Sequence, residues 1–235
     1  MITATPRLSV ETGRRRSEAV VLVLHGGREL STDPVRAHQV AVLRMVPFAR
    51  RIARRGAGRV AVARLRYASR GWNAATGSPA PVNDAEWALR QLTERFAGLP
   101  ISVVGHSMGG RTALRIGGHP QVRGVVALAP WLPAHEPVSQ LAGRRVLLMH
   151  GSADRMTSPA GTEVYAGRIE AAGAAVSLVT VYGEGHAMLR RAQVWHELSA
   201  QFALSTVLED FQPSGWQGSP QLVRQVVQGA VRLSC

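Results

Sequence analysis

Six short runs rich in Val, Leu and Ala recur along the chain, at residues 19–25, 59–65, 101–105, 124–129, 146–150 and 176–181. Each has the length of a β-strand and is apolar nearly throughout, the pattern of a strand covered on both faces. The segments 39–55, 82–96, 107–116, 159–172 and 187–204 carry apolar residues at helical spacing, with start or stop signals such as Asn83-Asp84 and Gly117-Gly118. Regular alternation of strand and helix predicts an α/β fold: a mostly parallel, twisted sheet with helices on both faces. Right-handed crossovers would align the carboxyl ends of the strands along one edge, where open sheets of this kind bind ligands.

A chain of 235 residues can bury a substantial core as one domain, and nothing in the sequence argues for two. We expect one domain over residues 1–212 and an appended tail over 213–235. The tail reads as a linker rich in Pro, Gly and Ser followed by an amphipathic helix over 221–233. With 46% hydrophobic and 18% charged residues the composition excludes a disordered chain. The lone cysteine, Cys235, excludes a disulfide scaffold and is a poor candidate nucleophile.

A formal charge of +13 raises nucleic acid, acidic membrane surfaces and anionic substrates as partners. All 28 basic residues are arginines, scattered with only short runs such as Arg14-Arg15-Arg16, and no aromatic-interleaved basic patch accompanies them. Nucleic acid is therefore not the expected partner. The first sixteen residues lack the pattern of a signal peptide, and no stretch is long enough to span a bilayer, so a cytoplasmic location is expected. The sequence leaves the oligomeric state open.

The strongest chemical signal is Gly105-His106-Ser107-Met108-Gly109-Gly110, which follows one apolar run and opens a helical segment. Gly-x-Ser-x-Gly in that context is a nucleophile elbow: a sharp strand-to-helix turn exposes the serine hydroxyl, and the flanking glycines avoid collision. The helix start points unpaired N–H groups and a positive dipole end at any oxyanion formed there. The bland alternative is a glycine-rich turn whose serine caps the helix.

A serine hydroxyl needs a base within hydrogen-bond reach and a group that fixes the base's tautomer. Asp154, in His150-Gly151-Ser152-Ala153-Asp154-Arg155 after the fifth run, is the expected acid, although it could instead be a turn aspartate bonding nearby backbone. Glu136 is the reserve acid. His186, in Gly183-Glu184-Gly185-His186 after the last run, is the expected base among eight histidines. For the oxyanion, Met108 N–H and Gly27 N–H, the latter in His25-Gly26-Gly27-Arg28 after the first run, are the expected donors, with Arg28 the neighbouring choice.

The set His25-Gly26-Gly27, Gly105–Gly109, Asp154 and Gly185-His186 resembles the α/β-hydrolase superfamily in residue type and order, from about residue 19 to 202. The resemblance implies Ser107 as nucleophile, Asp154 as acid, His186 as base, Gly27 and Met108 as oxyanion hole, and no metal or other cofactor. Many relatives insert a helical cap where this chain has only residues 130–145, so no cap domain is expected. Arg28, Arg70, Trp72 and Trp131 are candidate substrate contacts. The implied activity is hydrolysis of an ester or thioester of a small acyl substrate. A small-peptide hydrolase and a catalytically idle binding module are the alternatives.

Overall fold

In this computed structural model the described residues are 5–12, 16–73, 77–213 and 232–235. The strands are β1 (Arg7–Glu11), β2 (Ala19–Leu24), β3 (Val60–Arg66), β4 (Ile101–His106), β5 (Val122–Leu128), β6 (Arg145–Gly151), β7 (Ala175–Val181) and β8 (Arg232–Ser234). They form one sheet in the order β1-β3-β2-β4-β5-β6-β7-β8. β1 runs antiparallel to β3, and every other neighbouring pair is parallel. The six apolar runs are the six central strands, as expected.

The helices are α1 (Val40–Arg44), α2 (Val46–Arg55), α3 (Ala80–Arg95), α4 (Met108–Ile116), α5 (Pro159–Ala171) and α6 (Ala192–Ser205). Because strand side chains alternate, β2 feeds two cores. Val20, Leu22 and Leu24 belong to one core with Val82 and Leu89 of α3, Leu114 of α4 and Ile169 of α5. Ala19, Val21 and Val23 belong to the other, with Phe48 and Ile52 of α2 and Trp195, Leu198 and Phe202 of α6. Each large side chain so buried contributes about 1.5–3 kcal/mol, and Leu22→Ala would cost about 2–5 kcal/mol.

Three boundaries differ from expectation. The segment 39–55 is two helices, broken at Met45, because Pro47 has no N–H to continue the ladder. The helix expected from residue 187 begins at Ala192, because the N–H groups of Arg190 and Arg191 are taken by the Glu184 carboxylate at 3.2 and 2.7 Å. The expected tail helix over 221–233 lies outside the described residues up to 231. Arg232 and Leu233, expected within it, are strand: β8 satisfies the open edge of β7, where Cys235 N–H donates to Thr180 O and Tyr182 N–H to Cys235 O.

The β5–β6 connection, where a cap would be inserted, holds only a 3-10 turn at Ser139–Leu141. Among the described residues no helix is long and apolar enough to cross a membrane.

Candidate active site

β4 ends at His106 and α4 begins at Met108, so Ser107 alone makes the turn. Its φ of 56° and ψ of −119° are a strained pair for a residue with a side chain, costing about 1–3 kcal/mol. Backbone bonds hold it there: Ser107 N–H donates to Leu128 O at 2.9 Å, and Ser107 O accepts from Arg111 N at 3.1 Å and Trp131 N at 3.3 Å. The flanking glycines are needed for approach. A Cβ on Gly105 would lie 2.1 Å from Gly109 O, and one on Gly109 would lie 2.5 Å from His25 O.

Ser107 lines a cavity of about 550 Å³ that it shares with Gly27, Met108 and His186. Gly27 N–H meets no acceptor among the described residues, whereas Arg28 N–H is spent on Arg70 O at 2.8 Å. As the first residue of α4, Met108 has an N–H without an intrahelical acceptor. His25 shapes this loop. Burial, with the Arg66 charge, holds its pKa at about 4, so the ring is neutral; it donates from Nδ1 to Gly26 O at 2.7 Å and accepts from Tyr67 N–H at Nε2 at 3.2 Å.

Asp154 closes a turn and also reaches His186. Its Oδ1 accepts from the N–H groups of Met156 (2.8 Å) and Thr157 (3.1 Å), closing a turn. Its Oδ2 lies 2.8 Å from His186 Nδ1, 2.9 Å from Thr157 Oγ1 and 3.1 Å from His150 Nε2. Burial pushes this carboxyl pKa up, but the His186 bond and the two backbone bonds outweigh it and bring it to about 2. The helix that follows is capped by Ser158, whose Oγ accepts from Gly161 N–H at 2.9 Å.

The His186 turn is fixed from beneath. Glu184, buried, accepts from the N–H groups of Gly185, Arg190 and Arg191 and from Trp195 Nε1. His186 O accepts from His106 Nε2 at 3.0 Å and from Arg44 Nη1 at 3.4 Å. Burial and the neighbouring His186 and Arg44 press the His106 pKa down to about 3, so this ring is neutral with its proton on Nε2.

Of the four candidate substrate contacts, Arg28 and Trp131 line the cavity, whereas Arg70 and Trp72 do not. Arg70 lines a neighbouring cavity of about 260 Å³, its guanidinium 3.7 Å from Asp33. Trp72 is buried and covers the Arg111 guanidinium at 3.9 Å from the ring centre, with Trp131 on the same guanidinium at 4.6 Å. The reserve acid Glu136 faces α4, not His186: it binds Arg111 at 2.7 Å and Arg115. Arg168 donates to the carbonyls of Ala134 and Glu136. Residues 131–137, which include Pro133 and Pro137, are thus a pinned wall.

Sequence reasoning missed His106, His150, Thr157 and Glu184. A faint signal existed for two of them: His106 fills the variable position before Ser107, and Glu184 sits inside the glycine-flanked turn. Among the described residues no group of three or more His, Cys, Asp or Glu is placed to hold a metal ion.

An eight-stranded, mostly parallel sheet with a serine turn on a central strand, and acid and histidine on later strand ends, is the α/β-hydrolase fold. Residues 15–146 match the Hydrolase_4 family, described as "Serine aminopeptidase, S33", and the chain belongs to that family. No curated protein matches the sequence. Solved structures resemble it in fold. Est1E from Butyrivibrio proteoclasticus with bound ferulic acid has a TM-score of 0.61 at 13% identity, covering 86% of this chain and 95% of its own. The monoacylglycerol lipase of Paleococcus ferrophilus has a TM-score of 0.59 at 16% identity, with 86% and 99% covered. A putative α/β hydrolase from Agrobacterium tumefaciens has a TM-score of 0.64 at 15% identity, with 88% and 94% covered.

Proposed function

We propose that the protein is a serine hydrolase that cleaves carboxylic esters or thioesters of small acyl substrates through an acyl-enzyme on Ser107. His186 takes the serine proton as Oγ attacks the carbonyl carbon, then gives it to the departing alcohol or thiol. Water, activated by the same ring, hydrolyses the acyl-enzyme and restores the serine. Asp154 holds His186 with its proton on Nδ1 and stabilises the imidazolium. The N–H groups of Gly27 and Met108 receive the oxyanion. No step calls for a metal or an organic cofactor.

The observation that carries this reading is the 2.8 Å contact between His186 Nδ1 and Asp154 Oδ2, with His186 and the strained Ser107 on the wall of one cavity. The depressed carboxyl pKa supports it, since Asp154 stays ionised wherever His186 works. The lack of a cap over the cleft, with only a 3-10 turn between β5 and β6, favours small or surface-presented acyl groups. The esterase and lipase that share the fold make ester the first bond to test. The family's description favours a second reading, removal of an amino-terminal residue from a short peptide by the same groups.

A fluorophosphonate probe together with p-nitrophenyl esters, acyl thioesters and aminoacyl p-nitroanilides tests both. Wild type should be labelled and should turn over esters fastest, and Ser107→Ala should lose labelling and turnover. Faster anilide cleavage selects the second reading. Folded wild type that takes no label is an idle binding module, and the proposal fails.

A further inference from the structure

Among the described residues seven large apolar side chains are exposed, and six stand at one edge of the molecule. Leu30 follows β2, Val40 and Leu43 lie on α1, Met156 follows β6, and Tyr182 and Leu189 follow β7. All six are on connections leaving the carboxyl ends of the strands. Leu30 and Met156 line the Ser107 cavity itself. Val40 lines the adjoining cavity, which shares Gly27 and Arg28 with the first. Leu43 precedes Arg44, which binds His186 O, three residues before Leu189. Five of the six therefore lie on or beside the cleft, and Tyr182 stands on the same edge after β7.

α1 sharpens the point. Its sequence, VAVLR, is apolar, yet none of its residues is buried, and Val40 and Leu43 are 68% and 51% exposed. Apolar surface concentrated on one edge of a chain with two well-filled cores marks a contact surface.

The charge interleaved with it selects the partner. Arg28, Arg36, Arg155 and Arg190 are exposed on the same connections, and none is among the ion-paired arginines of the described residues. Of the acids beside these arginines in the chain, Asp154 and Glu184 are buried, Glu29 and Asp33 are exposed, and Asp33 already faces Arg70; Glu163 is exposed further along, on α5. A second copy of this chain would bring the same arginines and a further +13 charge, so self-association through this edge is opposed. The apolar side chains stand singly around a cleft rather than along a groove, which suits a deformable surface better than a folded acidic protein. Guanidinium groups pair with phosphates in a bidentate fork.

We infer that this edge docks on an anionic phospholipid surface, with the six apolar side chains entering the headgroup boundary and the cleft mouth facing the lipid. Docking itself stands on exposure and charge. That acyl groups reach Ser107 from the lipid rests on the esterase reading above.

Sedimentation of the full chain with vesicles of phosphatidylcholine, with and without phosphatidylglycerol, tests it. Wild type should bind the anionic vesicles, with part of the binding surviving physiological salt because apolar contact is not screened. The double substitution Leu43→Ser and Leu189→Ser, outside the Ser107 cavity, should weaken partitioning about tenfold or more. It should leave hydrolysis of a water-soluble p-nitrophenyl ester at the wild-type rate. If that variant melts early, Arg155→Glu with Arg190→Glu replaces it and should likewise lose binding.

Absence of binding to anionic vesicles overturns the inference. So does binding that both double variants retain, which would be adsorption elsewhere. Binding to immobilised polyglutamate without vesicle binding also overturns it, in favour of an acidic protein partner. Vesicle binding with no hydrolysis of any ester would sink the esterase reading and leave the docking surface standing.

Discussion

Between β4 and α4 one residue, Ser107, reverses the chain, and backbone approach alone sets its geometry; after β6 and β7 the chain takes longer turns whose shape comes from buried carboxylates. At the first site a carbonyl would stand 2.1 Å from any Cβ at Gly105, so only one backbone path exists. At the others Asp154 and Glu184 each gather several N–H groups, and a side chain acts where the backbone has no steric instruction. The proposed nucleophile is thus held by packing, and the proposed base by charge and hydrogen bonds.

That contrast can be broken at each end. The largest expected effect is on rate: Asp154→Asn, which favours the wrong tautomer of His186, should lower turnover about 10⁴-fold. Unchanged ester turnover would remove Asp154 from the reaction. Next, Gly105→Ala drives a methyl group into the Gly109 carbonyl and should cost more than about 4 kcal/mol, read as loss of soluble folded protein. A smaller loss, about 1.5–3 kcal/mol, is expected for Glu184→Gln, which removes the charge from its hydrogen bonds. Here fluorophosphonate labelling should slow before the fold melts, and labelling at the wild-type rate would show that the His186 turn does not need this carboxylate.

The most gradual effect is on pH dependence. His25 and His106 have pKa values of about 4 and about 3 in the fold, against 6.5 in an unfolded chain. Below pH 6.5 the unfolded state therefore binds protons that the folded state refuses. Stability is complete above that value and falls with added acid, by about 1.4 kcal/mol per pH unit for each histidine until its folded pKa is reached. Urea midpoints should decline across this window, and His25→Asn or His106→Asn should flatten the decline. A midpoint that holds steady contradicts the neutral, buried assignment.

The same contrast decides how much could be read from the chain. The six central strands were legible because strands covered on both faces must be apolar throughout, and Ser107 because its turn demands glycines at fixed offsets. Asp154 and His186 were legible only as residues at strand ends. Their 2.8 Å contact and the supports from His106, His150, Thr157 and Glu184 join residues up to 80 positions apart, which no local pattern encodes. β8 was missed because three residues hold no period, and its conformation comes from the open edge of β7. Trp72 and Arg70 looked like cleft residues from loop position alone; the guanidinium of Arg111 and the carboxylate of Asp33 draw them elsewhere.

The place of β4 in the sheet sets an order of loss. β4 is flanked on each side by parallel strands, while the turn holding His186 leaves β7, whose outer edge is sealed by only three residues of β8. Opening starts where few buried contacts must be given up. Mild heat or denaturant should therefore detach the histidine while the serine still sits in its strained turn, and the protein should fall silent well before it unfolds.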